Sequence, residues 1–215
     1  TDGESRIALS GPAPIKITQP GSYYLTQNVT GVAGQHGIEI LCHNVALDLN
    51  GYSLLGVPNS GSGIWVAGSN ANNVAIRNGF IKNWGVGPDP KGIWAPWSKK
   101  CIFQDIVVEN TTGNGFGVGD GSLVENCISA NNGGTGFEAN GRGVVFRDCT
   151  STSNTYDGFG TFGHSLGCVF ERCLSVGNKN LGFFVVGGSS VLRGCTAVAN
   201  GKHGFYTDSA GMVDC

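Results

Sequence analysis

Three side chains capable of acid–base chemistry lie within one stretch of ten residues. Tyr156, Asp157 and His164 occur in the segment TYDGFGTFGH. A phenol, a carboxylate or an imidazole can remove or supply a proton, provided that a nearby cation neutralises the negative charge that develops on the substrate. Asp157 also directly precedes a glycine, where aspartate is common simply as a turn residue. The segment therefore indicates either a proton-transfer site or an ordinary turn.

The element that must position these residues is a sequence repeat. A Gly-Phe pair recurs at intervals of 21, 22, 24 and 22 residues, at Gly115-Phe116, Gly136-Phe137, Gly158-Phe159, Gly182-Phe183 and Gly204-Phe205. A Gly-Ile form extends the series backwards through Gly92-Ile93, Gly63-Ile64 and Gly37-Ile38. Each interval is too short for a helix and a strand with their connections, but it suits three short strands and their turns. The spacing predicts stacked coils, about seven in number.

Like residues occupy fixed positions in this repeat. Nine residues before each Gly-Phe glycine lie Ile106, Cys127, Cys149, Cys173 and Cys195, and five residues after that column lie Thr111, Asn132, Asn154, Asn178 and Asn200. Equivalent residues of stacked coils are about 4.8 Å apart, so the asparagines are expected to form an inward hydrogen-bonded ladder. The even number of cysteines leaves two alternatives, reduced thiols that fill the core and disulfides.

The segments NVALDLNGYSLLG (44–56) and NVAIRNGFIKN (73–83) closely resemble the opening coils of the right-handed parallel β-helix repeat family, which includes pectate-lyase-like proteins. The resemblance extends from about Ile38 to the last residue. It implies an all-β fold, a single right-handed parallel β-helix of about seven coils of ~22 residues with an N-terminal β cap. We expect residues 1–36 to form the cap and the first strands, with a hairpin broken at Pro20-Gly21, and residues 37–215 to form the coils.

Within this family, the set formed by Tyr156, Asp157 and His164 resembles that of alginate epimerases and lyases, although the spacing differs. The resemblance implies proton abstraction beside a uronate carboxylate, with Ca²⁺ as a cofactor only if the chain is lyase-like. Glu138 and Asp157 fall on adjacent coils and form a second candidate, an acid pair for glycoside cleavage. No histidine or cysteine spacing is typical of a metal site, so we predict no metal and no other cofactor.

Strand alternation assigns the residues that face outward. If the residue after each glycine points inward, the next points outward, which places Trp65, Trp94, Phe184 and Tyr206 on one face. These aromatic residues predict a carbohydrate platform, a surface covered by loops, or a contact between copies of the chain. A second outward column is apolar and also favours self-association; it comprises Phe80, Val107, Ile128, Thr150, Leu174 and Thr196.

Charge and hydropathy exclude some classes of protein. A net charge of −2 provides no positive field for nucleic acid, and no apolar run is long enough to span a membrane. A chain that opens at Thr1 looks processed, which favours an extracellular or cell-surface location. We interpret the chain as a non-catalytic structural or surface protein that assembles end to end into a fibre or stalk, with an unfinished coil at Cys215. The alternatives are a lyase or epimerase acting on acidic glycans and a carbohydrate-binding module.

Overall fold

The polypeptide winds into a parallel β-solenoid of about 8 turns. The computed structural model describes residues 6–85, 90–163 and 165–215. The strands form two sheets, of sixteen and nine strands. The described residues contain one 3₁₀ turn, Gly68–Asn70, and no α-helix. The all-β prediction from the 21–24-residue repeat is therefore confirmed.

The nine-stranded sheet takes one strand from each successive coil, so its nine strands are separated by eight turns of the chain. Its strands, in spatial order, are Ile15–Ile17, Ile38–Ile40, Ile64–Val66, Ile93–Ala95, Phe116–Val118, Phe137–Ala139, Phe159–Thr161, Phe183–Val185 and Phe205–Thr207. Each pairs in parallel with the equivalent strand of the next coil, for example Phe137 with Phe159. The Gly-Phe and Gly-Ile repeats therefore mark this sheet.

The sixteen-stranded sheet supplies the other sides of each coil. Its main path is Arg6–Leu9, Gly21–Leu25, Val45–Asp48, Val74–Lys82, Ile102–Glu109, Leu123–Glu125, Val145–Arg147, Val169–Glu171, Val191–Arg193 and Gly211–Val213. Six further strands branch from it: Val29–Thr30, Ser53–Leu55, Ile128–Ala130, Thr150–Thr152, Leu174–Val176 and Thr196–Val198. Two long strands, Val74–Lys82 and Ile102–Glu109, run through both regions of this sheet.

The segment from Ile15 to Thr30 is a coil, and the expected hairpin at Pro20-Gly21 is wrong. Gly21 pairs in parallel with Val45 of the next coil, and Ile15 pairs in parallel with Ile38. The apolar residues before and after Pro20-Gly21 thus lie on two different sides of the same coil. This coil is additional to the seven that were counted from the repeat. The division of the chain at residues 36 and 37 and an N-terminal cap stay predictions.

A stack of phenylalanine rings fills the interior. Phe116, Phe137, Phe159, Phe183 and Phe205 form a continuous column whose successive ring centroids are 4.8, 4.9, 4.8 and 5.0 Å apart. A second column meets it edge to face, with the ring of Phe170 6.1 Å from those of both Phe159 and Phe183. Offset and edge-to-face contacts of this kind stabilise a core beyond the area that they bury.

The predicted asparagine ladder is present. The Oδ1 atom of Asn178 accepts hydrogen bonds from the backbone N–H of Asn154 and from its Nδ2, both at 3.0 Å. The Nδ2 of Asn178 in turn donates to the carbonyl of Ser151. Asn154 and Asn178 are fully buried, so each amide satisfies turn groups that water cannot reach.

A serine ladder adjoins the asparagines, and the sequence reasoning missed it. Ser129, Ser151 and Ser175 point inward, and their hydroxyls accept hydrogen bonds from the Nδ2 of Asn132, Asn154 and Asn178 at 2.9 Å. Their fixed position two residues after the cysteine column is the signal that could have revealed them.

The cysteine column is reduced. None of the eight cysteines is disulfide-bonded, and Cys127, Cys149, Cys173 and Cys195 are buried. Each thiol donates weakly to a carbonyl of the preceding coil, as Cys149 does to Val124 at 3.4 Å. Burial raises the pKa of Cys127 to about 12, so this thiol stays protonated at neutral pH. Of the two alternatives, the core-filling thiols are the ones that form.

Candidate functional site

The outward column of the nine-stranded sheet, which we call the aromatic face, carries the predicted aromatic side chains. Strand pairing places these residues in one row: Lys16, Glu39, Trp65, Trp94, Gly117, Glu138, Gly160, Phe184 and Tyr206. Tyr206 is 51% exposed, whereas Trp65, Trp94 and Phe184 are half-buried. The face is therefore continuous along the solenoid.

Trp94 is held by its neighbours. The Lys91 ammonium lies 3.3 Å from the ring centroid of Trp94, and the ring of Trp97 meets it edge-on at 6.0 Å. A Cβ atom at Gly117 would lie 2.4 Å from Cζ3 of Trp94. The absence of a side chain at position 117 therefore lets the indole of Trp94 lie across the next strand, where it contacts the exposed Trp97.

The far end of the aromatic face has a second group of rings. The rings of Phe184 and Tyr206 are stacked with centroids 5.5 Å apart, and Phe162 lies 5.8 Å from Phe184. At the opposite end, Trp65 stacks on His36 at 5.3 Å. The predicted residues thus fall into two aromatic groups, with the carboxylates between them.

Those carboxylates are engaged in the fold. The Oδ1 of Asp157 accepts from the backbone N–H of Leu181 at 3.0 Å and from Asn180 Nδ2 at 2.6 Å. Asn114, at the equivalent position two coils earlier, has the same role, since its Oδ1 accepts from the backbone N–H of Thr135. Asp157 is 6% exposed, and its side chain joins its own coil to the next one.

The candidate acid–base set is only partly assembled. Tyr156 is 58% exposed, next to the buried Asp157, and His164 lies outside the described residues. Glu138 is 9% exposed and accepts a hydrogen bond from Asn114 Nδ2. No group of three or more histidine, cysteine, aspartate or glutamate side chains able to hold a metal ion occurs in the described part of the chain.

We predict that Asp157→Asn is at least as stable as the wild type at pH 7. Burial raises the pKa of Asp157 above its usual value, and its hydrogen bonds and Lys202 offset only part of that rise. The contribution of this carboxyl to stability is therefore present below its unfolded pKa, about 3.9, and is lost as the pH rises through the folded value. Asparagine keeps the Oδ1 acceptor and cannot ionise.

The measurement is urea denaturation at pH 7 and at pH 4. The stability advantage of the asparagine variant over the wild type should be smaller at pH 4 than at pH 7. Asp157→Ala is the comparison, because it loses both hydrogen bonds and should cost about 1 kcal/mol. An asparagine variant that loses stability at pH 7 but not at pH 4 would contradict the turn role and indicate a required charge.

A cavity beside Trp97 was not predicted from the sequence. Its volume is about 330 Å³, and it lies where three successive coils leave the nine-stranded sheet. It is lined by Pro96, Trp97, Lys99, Asp120, Asn140 and Arg142. Trp97 is 65% exposed. The Nδ2 of Asn140 is buried and has no hydrogen-bond partner among the described residues.

The cavity is electropositive. Lys99 Nζ lies 3.5 Å from Asp120 Oδ2, and the backbone N–H of Arg142 donates to Oδ1 of the same aspartate. Two cationic side chains and one carboxylate leave an excess of one positive charge. A buried amide without a partner is costly, so Asn140 and the cations offer donors to an anionic ligand.

Comparison with known proteins identifies the architecture. A family model described as right handed beta helix region matches residues 15–165 and 62–214. Among solved structures, the A-module of a mannuronan C-5 epimerase of Azotobacter vinelandii is similar, with a TM-score of 0.51 and 15% sequence identity over 99% of this chain. The chain spans 66% of the length of that module. None of the curated proteins matches the chain in sequence. No helix of the described residues is long and apolar enough to cross a membrane.

Proposed function

The chain belongs to the right-handed β-helix family, and from that premise we propose that it binds an acidic polysaccharide along the aromatic face without cleaving it. The observation that carries this proposal is the cavity beside Trp97, which combines an exposed indole, an excess of one cation and a buried amide without a partner among the described residues.

The chemistry of the cavity suits a carboxylated sugar. The flat face of a pyranose ring packs on an indole, and Trp97 is the most exposed of the large apolar side chains in the described ranges. The ammonium of Lys99 and the guanidinium of Arg142 can bind the sugar carboxylate, and the Asn140 amide can donate to a hydroxyl. The excess of positive charge in the cavity adds affinity for acidic sugars and leaves the affinity for neutral sugars unchanged.

The length of the aromatic face supports a polymer rather than a single sugar. Stacked coils lie about 4.8 Å apart, so the row from Trp94 to Tyr206 crosses enough coils for several sugar units. One solved structure that shares this fold is a polysaccharide epimerase. An extracellular or cell-surface location and self-association, predicted from the sequence, belong with this proposal.

Binding without turnover is proposed because Asp157, the best candidate base, is committed to a turn. Its Oδ1 already accepts two hydrogen bonds from the next coil, and Asp157 is only 6% exposed, so this carboxylate is poorly placed to take a proton from a sugar ring on the surface. Release of unsaturated product from a uronate polymer, abolished by Asp157→Asn, would replace this proposal with a lyase.

We predict that Trp97→Ala weakens binding to alginate or polygalacturonate about tenfold, which corresponds to about 1.4 kcal/mol, with no change in fold by circular dichroism. Arg142→Gln should weaken binding to the same polymers and reduce its dependence on salt, because a screened charge contact is removed. Both are measured by affinity electrophoresis and calorimetry, with dextran as the neutral polymer.

Phe80→Ala is the matched control, since Phe80 is 37% exposed on the sixteen-stranded sheet, away from the cavity. It should bind like the wild type. Equal binding of dextran and alginate, or full affinity in Trp97→Ala, would refute the acidic-polysaccharide proposal.

A further inference from the structure

The geometry points to a second anion-binding site, on the sixteen-stranded sheet, where Arg6 and Arg77 flank a groove and can clamp a ligand carboxylate. This site is separate from the aromatic face and does not depend on the proposed function. It combines an excess of positive charge, a cavity and guanidinium groups held in fixed positions.

Asp48 fixes the two arginines. Its Oδ2 accepts from Arg6 Nη2 at 3.1 Å and from Arg77 Nε and Nη2 at 3.3 and 3.1 Å. Parallel pairing brings these residues together, because Asp48 is in register with Arg77 on the next strand. The Arg6 guanidinium also lies 4.9 Å from the ring centroid of Tyr24. Both arginine heads are therefore positioned before any ligand arrives.

Asp48 does not neutralise the pair. Its Oδ1 is occupied by the backbone N–H of Asn50 at 2.8 Å and by Asn78 Nδ2 at 3.2 Å. Burial raises the pKa of Asp48, but these hydrogen bonds and Arg77 outweigh it and hold the pKa below its usual value. Within the described ranges, one ionised carboxylate faces two guanidinium groups, so this cluster of three side chains has an excess of one positive charge.

The exposed fractions show which charge a ligand would meet. The Asp48 side chain is 11% exposed, whereas those of Arg6 and Arg77 are 37% and 61% exposed. Nη1 of each arginine donates to no partner among the described residues. A guanidinium presents five donors in a planar fork, so donors remain for a second, external carboxylate.

A groove adjoins these donors. A cavity of about 260 Å³ is lined by both arginines together with Ser22, Ala46, Ala75 and Gln104. A second cavity, of about 520 Å³, shares Ser22, Ala46 and Ala75 and continues to Asn44 and Asn73. The small side chains of this outward column leave a depression that Ile102 bounds on the next coil. The groove therefore has room for a carboxylate attached to a body of at least sugar size.

These features select one ligand class, a monocarboxylate with a polar body. A single positive excess matches one carboxylate, and the asparagine and serine side chains along the groove suit hydroxyl groups better than an apolar chain. An acidic sugar unit has this composition.

The test is an NMR titration of the full chain with sodium galacturonate, with glucose as the neutral probe and inorganic phosphate as the competing oxyanion. We expect galacturonate to shift amide resonances of residues 22, 46 and 75, and Arg77→Gln to weaken this binding at least about tenfold, the effect of losing one charged contact. Ala75→Glu, which places a carboxylate in the groove, should abolish the shifts independently of the arginine.

Arg172→Gln is the matched control, because Arg172 is also paired with an aspartate, at 2.8 Å, but lies outside the groove. It should bind galacturonate like the wild type. Shifts that persist in both Arg77→Gln and Ala75→Glu, equal shifts with glucose, or tighter binding of phosphate would each overturn the assignment. Since Trp97→Ala leaves this groove intact, loss of polysaccharide binding in that variant and loss of galacturonate binding here are separate results.

Discussion

Replacing Phe159 with alanine should lower the free energy of unfolding by about 3–5 kcal/mol, the range measured for phenylalanine removed from a closed core. Phe159 is fully buried in the middle of the ring stack, 4.9 Å from Phe137 and 4.8 Å from Phe183. It also meets two rings of the second column, Phe146 and Phe170. The coils above and below are held apart by their backbone ladders, so they cannot collapse into the space.

Urea denaturation followed by circular dichroism measures this loss. Tyr206→Ala is the control, because Tyr206 also stacks on an aromatic ring but is 51% exposed, and its removal should cost well under half as much. Equal losses in the two variants would mean that the interior stack contributes no more than a surface contact.

Asn178→Ala should lower the free energy of unfolding by about 1–3 kcal/mol, because it removes a buried hydrogen-bond partner from the ladder. The backbone N–H and Nδ2 of Asn154 and the carbonyl of Ser151 all lose a hydrogen bond. Asn178 is 0% exposed, so water has no access to replace it. The loss of stability should therefore be large for a substitution that removes only one amide group.

Asn200→Ala provides a comparison within the same ladder, with a smaller expected loss of stability. Asn200 accepts the equivalent hydrogen bonds from Asn178, but it is only half-buried, so water can take over some of its role. The expected order of stability is wild type, then Asn200→Ala, then Asn178→Ala. An unchanged denaturation midpoint for Asn178→Ala would show that the ladder follows from stacking without stabilising it.

The predictions made from periodicity were the successful ones. In a parallel, in-register stack, a residue's neighbours are the residues one repeat before and after it, so the sequence spacing itself encodes the contact. This is why the Phe116 to Phe205 column, the asparagine ladder and the outward position of Trp94 could be derived without coordinates. The prediction of a hairpin at Pro20-Gly21 was wrong because the first coil lacks the Gly-Phe pair that marks the later coils.

The functional side chains were predicted less well, because their surroundings come from turns of unequal length. Asp157 stands at a position of the repeat where either a catalytic residue or a turn residue could stand, and the spacing does not reveal that its Oδ1 accepts a hydrogen bond from the backbone N–H of Leu181. The Trp97 cavity combines loops of three coils whose lengths differ, so no fixed spacing links Trp97, Asp120 and Asn140. No sequence pattern relates Arg6 to Arg77 either.

By itself, then, the sequence determined the solenoid, its inward phenylalanine column and asparagine ladder, and the row of outward aromatic residues, because stacking repeats one local environment at a fixed period. Only the tertiary structure decided that the cysteines are reduced, that the Asp157 side chain bonds to the next coil, and that donors converge at Asn140 and around Asp48. Those outcomes depend on the direction of single side chains and on how far each turn projects. Periodicity specifies neither, because both are set by packing between residues that are not equivalent in the repeat.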